Sequence, residues 1–293
     1  MTLDQLRIFL AVAEREHITR AAEALNLTQS AVSSAITALE SRHGVMLFDR
    51  VGRSIRLNPV GRAFVQEAAS VLARAKAAEN ALADLSSLKH GRLSIMASQT
   101  IAGYWLPERL VRYRASYPGI DLDIEIGNTE QVAAAVEAGE AELGLVEGHV
   151  DEPALSREEI ATDEMVVVVG PNHPWASGGR IGVRDLPASP WVLRERGSGT
   201  RAALERLLQD AGLALSALTI ALTLPGNEAV IGAVEAGGGA TFTSRSIAAR
   251  ELRAGLLVEA AFPPATRPFY LLRHRERYRS KAADAFVGAI AGK

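Results

Sequence analysis

The sequence predicts an α/β chain that opens with a winged helix-turn-helix, continues in one long helix and closes with about two hundred residues of strands alternating with helices. Three observations carry this. Apolar residues recur at helical spacing in three short segments before residue 43. An apolar stripe with spacings of four and three then runs from 59 to about 88. From Gly91 onward, short apolar runs alternate with helical patterns of ten or so residues.

Leu3, Leu6, Phe9, Leu10 and Ala13 give residues 3–15 one apolar face. Residues 18–25 form a second short helix, Asn26-Leu27-Thr28 a tight turn, and 29–42 a third helix with Val32, Ile36 and Leu39 on one side. Asn26 suits the turn because Asn tolerates positive φ, and Thr28 suits the N-cap because its hydroxyl can take up an orphan backbone N–H. After Gly44, apolar arms around a Gly-containing tip between Val45 and Leu57 predict a β-hairpin, the wing. In the long helix, Phe64, Ala68, Val71, Ala75, Ala78, Leu82 and Leu85 form a seam, read as a dimerisation face because little neighbouring chain could cover it. Strands are expected at 93–97, 122–126, 143–146, 165–169, 191–193, 219–224, 240–243 and 269–272, with helices at 105–116, 129–138, 200–211 and 228–236. That alternation predicts a mainly parallel sheet. The expected domains are 1–58, a DNA-binding head; 59–90, a linker and dimerisation helix; and 91–293.

Composition narrows the function. With 32 basic and 34 acidic residues the net charge is −2, so DNA contact has to come from a local surface. The absence of cysteine removes disulfides, thiol catalysis and thiolate metal sites, and the six His show no metal-ligating spacing. No metal or cofactor is expected. Arg7, Glu14, Arg15 and Glu16 interrupt the N-terminal apolar positions, unlike a secretory signal, and the run 165–169 falls far short of the ~20 residues that span a bilayer. A cytoplasmic location with no membrane partner is the expectation.

The strongest motif is the block 21–40, in which a second helix would enter the major groove with its N-terminal turn against base edges. Gln29 can pair with adenine N6 and N7, while Thr28, Ser30, Ser33, Ser34 and Thr37 can reach bases or phosphates. Residues 1–58 carry seven Arg and six acids, a balance of +1, but Arg42, Arg50, Arg53 and Arg56 share fifteen residues with a single acid, Asp49. That local cationic edge suits phosphates, and a wing-tip Arg suits a narrow minor groove.

The block 21–40, its continuation from Leu39-Glu40 to Gly44-Val45, Leu47-Phe48-Asp49-Arg50 and Leu57-Asn58-Pro59-Val60-Gly61 together resemble the signature of LysR-type transcriptional regulators. The resemblance extends over essentially the whole chain. Ser30 stands where many members have proline, which costs rigidity at the helix start without preventing docking. The resemblance implies that the long helix pairs two heads in a homodimer or homotetramer on double-stranded promoter DNA, with RNA polymerase as a partner if the protein activates. It also implies that residues from about 91 fold into two lobes like periplasmic binding proteins, lobe I about 91–161 and 267–293 and lobe II about 162–266, with an effector between them. Ala97-Ser98-Gln99-Thr100-Ile101-Ala102 and the loop 194–201 further resemble regulators of carbon-fixation operons and of sulfur metabolism, whose effectors are phosphorylated metabolites, nucleotides or sulfur oxyanions.

Ligands in such sheets sit beyond the carboxyl ends of strands. Polar residues that follow an expected strand are Ser98, Gln99 and Thr100; Asn128 and Thr129; Glu147; Arg194, Arg196, Ser198, Gly199, Thr200 and Arg201; Asn227 and Glu228; and Ser244. The Gly197-Ser198-Gly199-Thr200 stretch is the sharpest, since its glycines let backbone approach a ligand and its arginines favour a small anion. Individual Ser, Thr and Asn positions there also fit plain helix caps. The run Arg267, Arg273, His274, Arg275, Arg277, Arg279 and Lys281 reads as a solvated face or subunit contact.

No enzyme signature competes. Arg at position 196 breaks Gly-x-Ser-x-Gly, and neither a phosphate loop nor a complete dinucleotide fingerprint is present. A transporter's solute-binding protein would fit the C-terminal two-thirds but not the attached head, and an architectural DNA binder would have no use for a ligand-binding half.

Overall fold

The structure is a computed structural model that describes residues 1–51, 54–84 and 91–290. It divides into an N-terminal and a C-terminal compact unit.

In the first unit, α1 (Leu3–Arg15), α2 (Ile18–Ala24) and α3 (Gln29–His43) pack around Leu6, Phe9, Val12, Ala21, Val32, Ile36 and Leu39. A capping box starts α1, Thr2 with Gln5, and the Thr28 hydroxyl accepts from Ala31 N at 3.2 Å to start α3. Asn26 turns the chain between α2 and α3 at φ 53°. Buried Glu40 at the end of α3 accepts from the backbone N–H of Leu47 at 2.7 Å and of Phe48 at 3.4 Å. It thereby anchors the antiparallel hairpin of β1 (Phe48–Val51) and β2 (Ser54–Leu57), where Asp49 faces Arg56. Asn58 then joins hairpin to helix, donating to Met46 O and accepting from Gly61 N, both at 2.8 Å. It leads into α4 (Pro59–Asp84).

The expected seam on α4 divides in two. Phe64 and Ala68 belong to the head's own core, Phe64 with its ring 5.0 Å from that of Phe9. These two residues fasten the helix to its head and leave little surface for a partner. Val71, Ala78 and Leu82 are exposed, Leu82 at 70%, and Ala75 is half-buried. Leu85 lies outside the described residues.

The second unit contains β3 (Gly91–Ser98), a single π turn at Ile101–Trp105, α5 (Leu106–Ser116), β4 (Ile120–Gly127), α6 (Thr129–Ala138), β5 (Leu143–Glu147), β6 (Leu155–Val169), β7 (Pro190–Arg194) and α7 (Gly199–Asp210). It continues with β8 (Thr219–Leu224), α8 (Asn227–Glu235), β9 (Ala240–Ser244), α9 (Arg245–Ala254), β10 (Val258–Glu259), β11 (Ala265–His274) and α10 (Lys281–Ile290). The sheet order is β4-β3-β5-β11-β6-β9-β7-β8, with β10 beside β6. Separate apolar cores serve its ends. Leu93, Ile95, Leu143, Leu145, Leu271 and Phe286 fill the β4-β3-β5 half, and Met165, Val167, Trp191, Leu193, Leu204 and Phe242 fill the β9-β7-β8 half.

The halves are joined by β6 and β11, whose antiparallel register runs from Leu155 opposite His274 to Met165 opposite Ala265. The sheet is therefore mixed, whereas the alternation of strands and helices predicts a mainly parallel one. β6 begins ten residues before the expected 165–169 because its first part, Ser156, Arg157, Glu158 and Glu159, is polar yet still pairs with β11 through its backbone. Apolar periodicity detects burial, and that stretch is largely solvated. Two helices, α9 and α10, were also not expected; α10 seats Ala282, Ala283, Phe286 and Ile290 against the first half. Among the described residues, no helix is long and apolar enough to cross a membrane.

Candidate functional site

Thr28, Gln29, Ser30, Ser33, Ser34 and Thr37 are all exposed, on the side of α3 opposite buried Val32, Ile36 and Leu39. Short polar side chains at the start of an exposed helix, held by a core on its other side, can be presented to base edges. Arg42 and Arg56 are exposed as well, and Arg50 is the register partner of Ile55 on the hairpin. Arg53 and the side chain of Arg50 lie outside the described residues.

The second cluster lies where β6 and β11 pass from one half of the sheet to the other. Arg267 and Asp163 are register partners there, and both are buried. Arg267 Nε donates to Asp163 Oδ2 at 2.8 Å, one terminal nitrogen to Thr200 Oγ1 at 3.0 Å, and the other to Thr100 Oγ1 at 3.3 Å; Glu147 Oε1 lies 3.6 Å away. The Glu147 carboxylate accepts from Ser98 Oγ and, at 3.0 Å, from Thr100 Oγ1, while Thr129 donates to Glu147 O at 2.8 Å. Ser244 donates to the remaining oxygen of Asp163 at 2.6 Å. Hydroxyls from both halves and one guanidinium thus converge on two carboxylates, and a charge at such depth is tolerated because it is paired and hydrogen-bonded.

A second knot surrounds Arg194 at the end of β7. Its Nε and one terminal nitrogen bind both oxygens of Glu195 at 2.8 and 2.9 Å, and its other terminal nitrogen donates to Asn227 Oδ1. Burial pushes the Glu195 carboxyl up, but the hydrogen bonds and charge of Arg194, with smaller backbone and Asn128 contributions, outweigh it and hold the carboxyl below its ordinary range. Gln99 bridges the halves by accepting from Asn227 N at 3.2 Å and donating to Pro225 O at 3.0 Å. Tyr104 donates to Glu228 at 3.3 Å, and burial together with that carboxylate raises its phenol to about 12. Across the other side, Asn128 reaches Glu195 and Arg196 O, both at 3.4 Å.

Gly199 marks the closest approach. A Cβ there would sit 2.2 Å from Glu147 O, so no side chain fits where α7 begins against β5. Beside it lies a cavity of about 680 Å³ bounded by Glu147, Ser198 and Gly199 but also by Glu130, Glu137, Asp151, Glu152 and Glu205. Arg201 pairs with Glu205 at 2.8 Å, and Arg196 is exposed on the cavity lining. The stretch from Gly197 to Thr200 is thus bounded by acids as well as by the arginines apparent in the sequence.

The chain matches two family descriptions, "Bacterial regulatory helix-turn-helix protein, lysR family" over residues 3–62 and "LysR substrate binding domain" over residues 86–293. It belongs to the LysR family. Among relatives, it is 36% identical over 289 residues to the HTH-type transcriptional regulator YeiE of Escherichia coli K12, covering 98% of this chain and 96% of that one. It is 34% identical over 290 residues to a probable RuBisCO transcriptional regulator of Cyanidioschyzon merolae, covering 97% and 96%. Among solved structures, the full-length regulator CbnR complexed with its target DNA shares the fold at TM-score 0.71 and 23% identity, covering 99% of each chain. The regulatory domain of Synechocystis CcmR in complex with 2-PG matches at TM-score 0.63 and 25% identity, covering 69% of this chain and 96% of that one. This LysR-family chain is accordingly a transcriptional regulator with an effector-binding domain.

The buried cluster of this LysR-family protein brings together Ser98, Thr100, Thr129, Glu147, Thr200 and Ser244 from the sequence reading. Arg194, Asn227 and Gln99 gather in the neighbouring knot, whereas Ser198 caps its own helix by accepting from Thr200 N at 3.2 Å. Sequence reasoning missed Asp163 and Arg267. The expectation of a solvated face fails at Arg267, which is 4% exposed. Its signal is parity: Arg267 alternates with buried Phe269 and Leu271, and Asp163 with Met165 and Val167, so each stands on the inward side of its strand. Farther along the basic run, Arg273 pairs with Glu158 at 3.0 Å, and Arg275 and Arg277 donate to backbone carbonyls.

Proposed function

We propose that this regulator reads promoter DNA with α3 and the β1–β2 wing, and that a small oxyanion bound between the two halves of the C-terminal unit controls it. The observation that carries the effector class is the donor set. Ser98, Thr100 and Ser244 donate to buried carboxylates, and Arg267 and Arg194 pair with carboxylates at the same junction, so hydroxyl and guanidinium donors of the kind that recognise oxyanions gather between the halves. The CcmR regulatory domain in complex with 2-PG supports a small-molecule effector. The six acids that line the cavity disfavour a nucleotide with several charges. A short phosphorylated acid or sulfur oxyanion fits better. Those same acids favour one second reading, a cationic ligand in the cavity.

Thr28, Gln29, Ser30, Ser33, Ser34 and Thr37 are assigned to DNA, with Arg50, Arg53 and Arg56 at phosphates or the minor groove. The exposed part of α4 pairs two heads, and the assembly is a homodimer or homotetramer in the cytoplasm, contacting RNA polymerase if it activates. An effector shifts DNA binding only as far as it prefers one arrangement of the halves over another.

The test is a nuclease footprint on the intergenic DNA upstream of the gene, with phosphorylated acids, sulfur oxyanions and a polyamine. Protection that changes with one anion supports the reading. A change with the polyamine alone favours the cationic reading, and protection indifferent to all of them removes both.

A further inference from the structure

We infer that the effector's anion docks on Arg194 and Asn227 at the start of α8, taking the place of Glu195 on the Arg194 guanidinium. The inference rests on the reading of the cleft as an anion site and names the docking point within it.

Arg194 fixes the orientation of the Asn227 amide. One terminal nitrogen of the guanidinium donates to Asn227 Oδ1, and rotating the amide by half a turn would set donor against donor. The amide nitrogen therefore faces away from Arg194. It is buried, and among the described residues it has no acceptor. A buried amide donor without a partner carries an uncompensated desolvation cost, which an acceptor oxygen would remove. The other amides of the junction are occupied: Gln99 uses both ends of its side chain, and Asn128 reaches Glu195 and Arg196 O. Asn227 also opens α8, whose N-cap, Gly226, has no side chain to satisfy the first turn, so the helix end adds its positive pole at the same place.

Glu195 is the exchangeable partner. Its side chain is 24% exposed while that of Arg194 is 3%, so Glu195 can turn to water and Arg194 cannot. Arg267, by contrast, is held by Asp163 and Glu147, both buried, and has no partner able to leave. When one carboxylate departs and one anion arrives, the buried charge is unchanged and the bidentate fork of Arg194 stays filled. An anion with two or more oxygens can occupy that fork and still present an oxygen to the Asn227 amide. Gln99, from the other half, binds Asn227 N, so occupancy at this point bears on both halves. A carboxylate, a sulfate and a phosphate share this chemistry.

The experiment is calorimetric titration of the full chain with sulfate, inorganic phosphate and acetate at constant ionic strength. Glu195→Gln should tighten binding of at least one anion about tenfold, by weakening the internal competitor. Asn227→Asp, which keeps the acceptor for Arg194 and replaces the donor by a like charge, should weaken it at least about tenfold with a wild-type melting curve. Asp210→Asn, at the far end of α7, removes a charge of the same sign away from the cavity and should do neither. If wild type binds an anion and the substitutions at 195 and 227 leave its affinity unchanged, the docking point is wrong while the anion reading stands. Equal tightening by Asp210→Asn also overturns it, as a general charge effect. Absence of binding by all three anions to wild type and to Glu195→Gln overturns both.

Discussion

Replacing Arg267 by Leu would take the guanidinium from the Asp163–Glu147 cluster and leave both carboxylates buried without it. It would also strip Thr100 and Thr200 of a donor. Removing one partner of a buried ion pair costs about 3–5 kcal/mol, because the surviving charge remains desolvated. For a domain of this size each kcal/mol shifts the melting midpoint by roughly 2–4 °C, so the C-terminal unit should melt about 6–20 °C lower. Far-ultraviolet circular dichroism with tryptophan fluorescence reads this transition, since Trp191 is fully buried in the core beside β7. The head has its own core and should keep its own transition. Arg267→Leu combined with Asp163→Leu should recover part of the loss, since the added substitution removes one of the stranded charges. A midpoint for Arg267→Leu within about 2 °C of wild type would refute the assignment of Arg267 as the cation that holds the two halves' carboxylates.

Gly199→Ala would place a methyl about 1.2 Å inside ordinary contact with Glu147 O, and α7 has to move from β5 to admit it. Overpacking of this kind costs about 1–3 kcal/mol, and thermal melting together with a changed anion affinity checks it. Gln29→Ala and Ser33→Ala should each cost about 1–3 kcal/mol on specific DNA and far less on random DNA, measured by fluorescence anisotropy; equal loss on both would make them backbone contacts. Because Glu195 titrates below its ordinary value, its pairing contributes stability that is fully present above the unfolded pKa and is lost as pH falls through the folded one. Acid unfolding should therefore lose that contribution below about pH 4.5, and Glu195→Gln should flatten the curve in that window.

The helical head was legible because each of its elements obeys a local rule. Thr28 caps, Asn26 turns at positive φ, and Val32, Ile36 and Leu39 recur on one side. The short interior strands were legible from their apolar runs. The first part of β6 was not, because its backbone pairs while its side chains meet solvent, and pairing leaves no mark on apolar period. Residues after strand ends located Ser98, Thr100, Thr129, Glu147, Arg194, Thr200, Asn227 and Ser244, since strand ends set where such loops lie. Asp163 and Arg267 sit within strands, and their meeting depends on a register 104 residues apart in sequence. Long-range pairing of that kind is absent from any local window. The acids around the cavity, drawn from α6, the segment after β5 and α7, were hidden for the same reason.

Coupling between the cleft and the DNA-binding face, as proposed, has to be reciprocal. The most direct measurement is the affinity for the anion that alters the footprint, determined by calorimetry on the full chain with and without operator DNA. Operator DNA should change anion affinity by the same factor as the anion changes DNA affinity, on the order of 5–150-fold. Identical anion affinity in the two titrations would contradict it.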